Sequence, residues 1–169
     1  MSIKQLKLGI VDTTFARVNM ADFAMDEISK SYGMRVQIIR HTVPGFKDLA
    51  VECKRLLELE RCDIAMAFGM VGRAPIDAQC AHEASLGIQM AKLMTNRHII
   101  EVFVHENEAK NDAQLLQICE NRARKHALNA VHLMLAPHLL SKNAGRGIRQ
   151  GFSDEGPAKI TKQKKKASK

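Results

Sequence analysis

The chain has 169 residues, 46% of them hydrophobic, which predicts one globular domain and excludes a chain that is disordered throughout. No apolar run approaches the ~20 residues that cross a bilayer, and the sequence shows neither an export signal nor a disulfide pattern, so we expect a soluble, cytoplasmic protein without a membrane partner. The net charge is +8, but residues 142–169 carry most of it, and a chain with one Tyr and no Trp lacks the aromatic platforms of nucleic-acid-binding domains, so nucleic acid is not expected as the main partner.

Four short apolar runs alternate with helical patterns along the chain. We predict strands over residues 6–11, 35–40, 62–68 and 99–104 and helices over residues 16–31, 48–61, 75–94 and 112–135. This alternation is typical of a parallel sheet with helices on both faces and right-handed crossovers. The predicted fold class is therefore α/β, a three-layer αβα domain with a four-stranded sheet over residues 1–157. An irregular C-terminal arm over 137–157 belongs to it, and a Lys-rich tail over 158–169 is predicted to be disordered.

The predicted carboxyl ends of the strands carry small, polar or ionisable residues. Ligands bind outside these ends in an open parallel sheet, where Thr and Asp can bond hydroxyls and an aromatic ring can stack. The set favours an uncharged or weakly charged polyol or heterocycle, although the same residue types also form ordinary turns. The candidates are Thr13, Thr14 and Phe15 after the first strand; His41, Val43, Pro44, Gly45 and Asp48 after the second; Gly69 and Met70 after the third; and His105 and Glu106 after the fourth.

Several other kinds of site lack their motifs. Neither G-x-G-x-x-G nor G-x-x-x-x-G-K-[ST] follows a predicted strand, which argues against a dinucleotide or ATP site. The seven histidines form no H-E-x-x-H pair and no tight cluster with cysteine, so no metal site is predicted. No serine occupies a G-x-S-x-G elbow, which leaves a serine hydrolase unsupported. For most of the histidines, a packed or solvated role is favoured over catalysis. For His41 and His105, the sequence favours neither role over the other.

Glu101 is the unusual residue of the fourth predicted strand. A carboxylate in the middle of an apolar strand costs free energy unless it is paired or solvated. Either this strand is a sheet edge whose face reaches a pocket or a subunit interface, or Glu101 pairs with an Arg or Lys. The sequence leaves both alternatives open.

Five segments of the chain carry a resemblance to a known family. They are IVDTTFARV (10–18), HTVPGFKDL (41–49), CAHEASLG (80–87), IIEVFVHENEAK (99–110) and GIRQGF (147–152). In combination they resemble archaeal-type riboflavin synthase, a family similar in fold to lumazine synthase. The resemblance implies a flavodoxin-like subunit in a homopentamer with active sites between adjacent subunits. It also implies that two molecules of 6,7-dimethyl-8-ribityllumazine dismutate by four-carbon transfer, giving riboflavin and 5-amino-6-ribitylaminopyrimidinedione.

The resemblance implies roles for the candidate residues. Phe15 would stack on a lumazine ring, and the turn before Asp48 would place that carboxylate on the ribityl hydroxyls. The other implied substrate-binding positions are Thr13, Val43, Pro44, Gly45, Gly69 and Met70. The groups available for proton transfer or orientation are Thr14, His41, His105 and Glu106. No redox cofactor is needed, because one substrate molecule oxidises the other, and a divalent cation such as Mg²⁺ is expected to support activity.

The chain departs from the expected family patterns at three positions, and hypotheses from other functional classes also remain open. Ala50 and Val71 stand where the family often has proline, which loosens two turns without removing a functional group. The place of the proton-shuttling histidine of lumazine synthase falls near Ile76, which argues against that sister reaction. A lumazine or flavin carrier without turnover is a further alternative, and a polyanion-binding module based on the Lys-rich tail is another.

Overall fold

The computed structural model describes residues 5–159, and its elements follow the predicted order. The strands are β1 (Leu6–Thr13), β2 (Val36–Val43), β3 (Ile64–Val71) and β4 (Ile99–His105). The helices are α1 (Met20–Tyr32), α2 (Phe46–Glu58), α3 (Pro75–Thr95), α4 (Asp112–Leu135) and α5 (Pro137–Asn143). A 3-10 turn follows α1 (Gly33–Arg35) and another follows β4 (Glu106–Glu108). Most of the predicted Lys-rich tail, residues 160–169, lies outside the described residues.

Within residues 5–159, one parallel sheet arranges the strands in the order β2-β1-β3-β4, which confirms the predicted αβα fold class. β3 is apolar and buried along its whole length, as is typical of a central parallel strand covered on both faces. Thr13 at the end of β1 lies opposite Val43 at the end of β2, and Val71 at the end of β3 lies opposite His105. The carboxyl ends of the four strands therefore meet at one end of the sheet.

Two helix layers cover the two faces of the sheet. α1 packs with α4 on one face, and α2 packs with α3 on the other. Alternate strand residues point to opposite faces, so Ile10 and Phe68 enter the first core while Val11 and Ala67 enter the second. None of the helices within residues 5–159 is long and apolar enough to cross a membrane. The two packed cores hold the carboxyl end of the sheet in a defined geometry.

β1, β2 and β3 all extend further than predicted. β1 continues to Thr13 because it stays paired with β2, so Thr13 lies in the strand and not in the loop after it. β2 continues to Val43 because pairing with β1 persists through the residues at which we predicted a turn. β3 continues to Val71 because it stays paired with β4 to the end of that strand. Gly69 and Met70 therefore lie inside a buried strand, and their predicted place in a loop is wrong.

Three helices also differ from the prediction. α2, predicted over residues 48–61, begins at Phe46 and ends at Glu58, α1 begins later than predicted, and α5 was not predicted. α1 begins at Met20, later than predicted, because the Asn19 side chain accepts a hydrogen bond from Asp22 N and caps the helix there. α5 occupies the start of the arm that we predicted to be irregular. Its first residue is Pro137, a position where the fixed φ and missing N–H of proline are tolerated.

β4 is an edge strand, and Glu101 lies at its middle. Ser85 Oγ on α3 donates a hydrogen bond to Glu101 Oε1 at 2.8 Å. The other oxygen, Oε2, is buried and has no hydrogen-bond partner among residues 5–159. The edge position agrees with the first alternative for Glu101, that of a strand at the edge of the sheet. Within the described residues, its partner is a serine and not the Arg or Lys of the second alternative.

Candidate functional site

A cavity of about 390 Å³ opens at the carboxyl end of the sheet, between the β1–α1 loop and the first turns of α2 and α3. Half of its lining residues are predicted binding residues, and half were not singled out from the sequence. The first group is Phe15, Pro44, Gly45 and Asp48, and the second is Phe46, Lys47, Asp77 and Cys80. The strand-end rule therefore identified one wall of a real cavity.

Thr14 joins the β1–α1 loop to the turn before α2. Its amide donates to Val43 O at 3.0 Å, and its hydroxyl donates to Pro44 O at 3.1 Å. These bonds set the distance between Phe15 and the turn. The Val43 side chain itself is buried at the end of β2. The Phe15 side chain is 54% exposed, which leaves it available to stack on a planar ligand. A role of Thr14 in proton transfer stays a prediction.

Phe46 gives the cavity an apolar wall because Gly69 leaves room for its ring. A Cβ on Gly69 would lie 2.2 Å from Phe46 Cε1 and 3.0 Å from the Phe103 ring. The rings of Phe46 and Phe103 meet edge to face, with centroids 4.9 Å apart. Gly69 thus supports the aromatic wall from inside β3 and is not itself among the lining residues.

Charged groups from the first turns of α2 and α3 complete the wall. Lys47 forms an ion pair with Glu83 at 2.6 Å, and their hydrogen bond raises the pKa of Lys47 and lowers that of Glu83. Asp77 Oδ2 accepts a hydrogen bond from Ala74 N at 3.1 Å and caps the start of α3. Both groups therefore have a partner already. The cavity is lined by one positive side chain, Lys47, and two negative ones, Asp48 and Asp77.

Asp48 differs from its charged neighbours in the cavity. No ion pair or side-chain hydrogen bond engages its carboxylate within the described part of the chain. Its amide donates to Gly45 O at 3.3 Å, so the turn fixes where the residue stands. The carboxylate can therefore accept hydrogen bonds from hydroxyl groups of a ligand, next to the exposed Phe15 ring.

The lining residues that the sequence analysis missed share one recognisable feature. Phe46, Lys47 and Asp77 lie in the first turn of a helix that directly follows a strand, and Cys80 lies one turn further along. First turns of such helices stand at the carboxyl end of the sheet, so their position was a usable signal. Which of their side chains faces the cavity depends on the rotation of each helix, which packing decides.

Glu106 belongs to a separate charged cluster. Its Oε2 lies 3.3 Å from Arg17 Nη1 and 3.6 Å from Arg73 Nε. Arg17 also donates to both carboxylate oxygens of Asp112 at 2.9 Å. Met70 packs beneath this cluster, fully buried, and its Sδ accepts a hydrogen bond from Arg17 N at 3.4 Å. Neither Glu106 nor Met70 lines the cavity that contains Asp48.

His41 and His105 stand on opposite edge strands. His41 Nδ1 is 2.7 Å from Glu52 Oε1, and its side chain is 42% exposed. His105 ends β4, and its amide donates to Glu108 Oε1 at 2.9 Å. Three strand spacings of about 4.8 Å separate the two edges. The two imidazoles of one chain therefore cannot act together on a single reacting atom.

Thr13 faces a different environment from the one we expected. It is buried, its hydroxyl has no hydrogen-bond partner among the described residues, and it lines a smaller cavity of about 200 Å³. Asp12 lines the same cavity, where it accepts hydrogen bonds from Thr42 Oγ1 and from the Arg40 guanidinium. Of the predicted binding residues, Thr13, Val43, Gly69 and Met70 are thus outside the 390 Å³ cavity.

The ionisable residues do not form a protein metal site. Within residues 5–159, no group of three His, Cys, Asp or Glu side chains is placed to hold a metal ion. The carboxylates of Glu106 and Asp112 are engaged by guanidinium groups, which further disfavours a cation there. The described residues therefore do not fit a resident divalent cation.

Comparisons with known proteins show which proteins this chain resembles. The family described as 6,7-dimethyl-8-ribityllumazine synthase matches residues 5–137. Riboflavin synthase of Methanothermobacter marburgensis is 51% identical over 152 residues, which cover 90% of this chain and 99% of that protein. Riboflavin synthase of Archaeoglobus fulgidus is 45% identical, covering 90% of this chain and 98% of that protein. That of Aeropyrum pernix is 42% identical, covering 90% and 97% respectively.

Proposed function

The chain belongs to the 6,7-dimethyl-8-ribityllumazine synthase family, and from this membership and its riboflavin synthase relatives we propose that it catalyses the riboflavin synthase reaction. Two molecules of 6,7-dimethyl-8-ribityllumazine react, and one gives a four-carbon unit to the other. The products are riboflavin and 5-amino-6-ribitylaminopyrimidinedione. The acceptor molecule is oxidised as the donor is reduced, and the two products together contain every atom of the two substrate molecules, so no external redox partner enters the balance.

The observation that carries the proposal is the pairing of Phe15 with Asp48 in one cavity. A flat heterocycle can stack on the exposed Phe15 ring. The Asp48 carboxylate, which has no side-chain partner within residues 5–159, can accept hydrogen bonds from ribityl hydroxyls. The volume of about 390 Å³ lies in the range of small-molecule sites, ~300–1,000 Å³. The walls supply an aromatic and a polar region, which matches a ligand with a ring and a polyol chain.

The chemical steps need groups that remove a proton from an acidic ring methyl and activate the neighbouring carbon for addition. In the proposed enzyme, His41, His105, Thr14 and Glu106 are the candidates for these roles. His105 and Glu106 lie near one edge of the sheet, away from the cavity that contains Asp48. We therefore place the second lumazine where β4 of one copy meets this cavity of another copy.

An exposed apolar stripe on α3 supports assembly of several copies. Leu86, Met90 and Leu93 are 53%, 63% and 83% exposed and recur at helical spacing on one face. Glu101 adds a buried carboxylate oxygen without a partner, among the described residues, at the adjacent edge strand. The proposed assembly is a homopentamer that covers this stripe and completes each active site from two neighbouring subunits.

The choice of substrate tests the proposal. The purified protein is incubated anaerobically with 6,7-dimethyl-8-ribityllumazine alone, and separately with the pyrimidinedione and a phosphorylated dihydroxybutanone. We expect riboflavin in the first reaction and no lumazine in the second. Lumazine binding without riboflavin would instead identify a carrier, and lumazine made in the second reaction would identify a lumazine synthase.

Magnesium dependence is a separate part of the proposal. No step is assigned to a metal ion, since the described residues do not fit a resident cation. We expect added Mg²⁺ to raise the turnover rate and a chelator to reverse the increase. Equal rates with Mg²⁺ and with chelator would contradict this expectation and leave the substrate assignment unchanged.

A further inference from the structure

The GIRQGF segment (147–152) lies against α4, and none of its residues lines the cavity that contains Asp48. Gly151 N donates to Asn121 Oδ1 at 2.8 Å, and the Arg122 guanidinium carbon is 5.7 Å from the Phe152 ring centroid, within cation–π reach. Gly151 has a φ of +88°, and a Cβ there would lie 2.7 Å from Arg122 Nη2. The segment therefore closes over Arg122, and glycine at 151 is what permits this contact.

Arg122 joins the GIRQGF segment to the carboxyl end of β4. Its Nη1 donates to Phe103 O at 2.8 Å, and its two terminal nitrogens donate to the Glu108 carboxylate at 2.8 and 2.6 Å. Glu108 Oε1 accepts the His105 amide at 2.9 Å. Burial by itself would raise the pKa of Glu108, but the bonds from Arg122 and the His105 amide outweigh it and lower that pKa. Arg122 thus holds the end of β4 at two points.

We infer that Arg122, held in place by the GIRQGF segment, is a positioning residue for the turn that carries His105 and Glu106. The inference rests on the proposed function, in which this turn supplies acid–base or orienting groups to a lumazine. Glu106 follows His105 directly, so a shift of the His105 backbone moves both side chains. A misplacement of about 1 Å at a catalytic group can lower a rate by about a hundredfold.

Two substitutions disturb this arrangement in different ways. Arg122→Lys keeps the charge but loses the planar fork, so one ammonium cannot hold both Phe103 O and the Glu108 carboxylate. Gly151→Ala removes no functional group, but it strains the backbone at a φ of +88° and presses a methyl against the guanidinium. A common effect of the two variants isolates the position of Arg122 as the cause.

Arg124→Lys is the matched control on the same helix. Arg124 also forms ion pairs with several carboxylates, those of Asp26, Glu27 and Glu120. Its replacement therefore disrupts an ion-pair network comparable to that of Arg122. These partners lie on α1 and α4, away from the end of β4. A general effect of weakening α4 would appear in this variant as well.

The first readout is steady-state kinetics of riboflavin formation. We expect Arg122→Lys and Gly151→Ala each to lower kcat by at least tenfold with KM changed less than threefold, and Arg124→Lys to leave kcat within twofold. The double variant is expected to have a kcat no lower than that of the less active single variant, because both substitutions act on one contact. Unchanged kcat in Arg122→Lys, or an equal loss in Arg124→Lys, would overturn the inference.

The second readout does not need turnover. Hydrogen exchange measured by mass spectrometry on a peptide that covers residues 103–109 reports the His105 amide. We expect exchange at least tenfold faster in Arg122→Lys and Gly151→Ala than in the wild type and Arg124→Lys. A wild type without riboflavin formation would refute the proposed function, whereas unchanged exchange in both variants would refute the positioning of this turn by Arg122.

Discussion

Among single residues, Asp48 supplies the polar part of the proposed contact with the ligand. Its carboxylate lines the cavity without a partner in the described chain, and a hydrogen bond to a charged group contributes about 1.5–3 kcal/mol. We therefore expect Asp48→Ala to weaken lumazine binding by about ten- to a hundredfold, as measured by fluorescence titration.

Glu58→Gln is the control for Asp48→Ala, because it removes a carboxylate charge from the other end of the same helix. The partner of Glu58 is Lys54, in an i,i+4 pair near the surface that contributes little. The control should bind lumazine like the wild type. Equal dissociation constants for Asp48→Ala and the wild type would show that the cavity wall at Asp48 does not hold the ribityl chain.

His126 on α4 predicts a pH dependence of stability. Burial, with a smaller contribution from the Arg122 charge, lowers the pKa of its imidazole from 6.5 to about 4. Between these values the unfolded chain binds a proton that the folded chain does not, so the free energy of unfolding rises with pH over this interval. From pH 7 to pH 5, His126 should account for a loss of about 2 kcal/mol.

His126→Gln should remove that part of the loss, which urea unfolding at pH 7 and pH 5 and at fixed protein concentration can measure. His98→Gln serves as the control because His98 is exposed. The control should keep the wild-type difference between the two pH values. The same pH dependence in His126→Gln and the wild type would contradict the assignment.

Gly69 links the packing of strand β3 to the shape of the cavity. An alanine at this position of β3 would press on the Phe46 ring, since its Cβ would come within 2.2 Å of Phe46 Cε1. Overpacking of this kind costs about 1–3 kcal/mol. We expect Gly69→Ala to lower the midpoint of thermal unfolding and to weaken lumazine binding, because Phe46 is displaced toward the cavity.

Gly9→Ala tests whether the binding loss is specific to Gly69. Gly9 is also crowded inside a central strand, but its Cβ would meet Leu56 and Cys62 instead of a cavity residue. This variant should lose stability with little change in the lumazine dissociation constant. A binding loss equal to that of Gly69→Ala would mean that strain in the sheet, and not the Phe46 ring, governs binding.

The sequence predicted the order and type of the strands and of the first four helices. It predicted less well where these elements begin and end. The apolar run of β3 and the spacing on α4 carry a strong signal because both elements are buried over much of their length. The ends of β2 and β3 depend on pairing with neighbouring strands, which a single segment does not encode. α5 is short and lies in a segment rich in turn residues, so its pattern was too brief to recognise.

The candidate site was predictable to a similar extent. Phe15 and Asp48 follow from the rule that ligands bind at the carboxyl ends of parallel strands. Lys47 and Cys80 were missed because helix rotation decides which first-turn side chains face the cavity. Met70 was misplaced because it points into the core beneath Arg17, on the face of the sheet away from the cavity.

At the scale of the whole molecule, the exposed stripe on α3 predicts assembly. Met90 lies at the middle of this stripe, and a charge there would have to be buried against a neighbouring copy at a high cost. We expect the wild type to sediment at about five times the chain mass of 18.8 kDa, and Met90→Lys to sediment as a smaller species with unchanged circular dichroism.

Met34→Lys is the control for this variant. Met34 is 90% exposed but lies in the 3-10 turn Gly33–Arg35, remote from the stripe on α3. It should sediment like the wild type and keep its activity. An assembled Met90→Lys with full activity would contradict the proposal that the α3 stripe is the contact between subunits.

The stoichiometry of the products tests the proposed dismutation most directly. Purified protein is incubated anaerobically with 6,7-dimethyl-8-ribityllumazine as the only substrate, and both products are quantified by chromatography. We expect one riboflavin and one pyrimidinedione for every two lumazine molecules consumed. Riboflavin without an equal amount of pyrimidinedione, or no riboflavin from bound lumazine, would contradict the account.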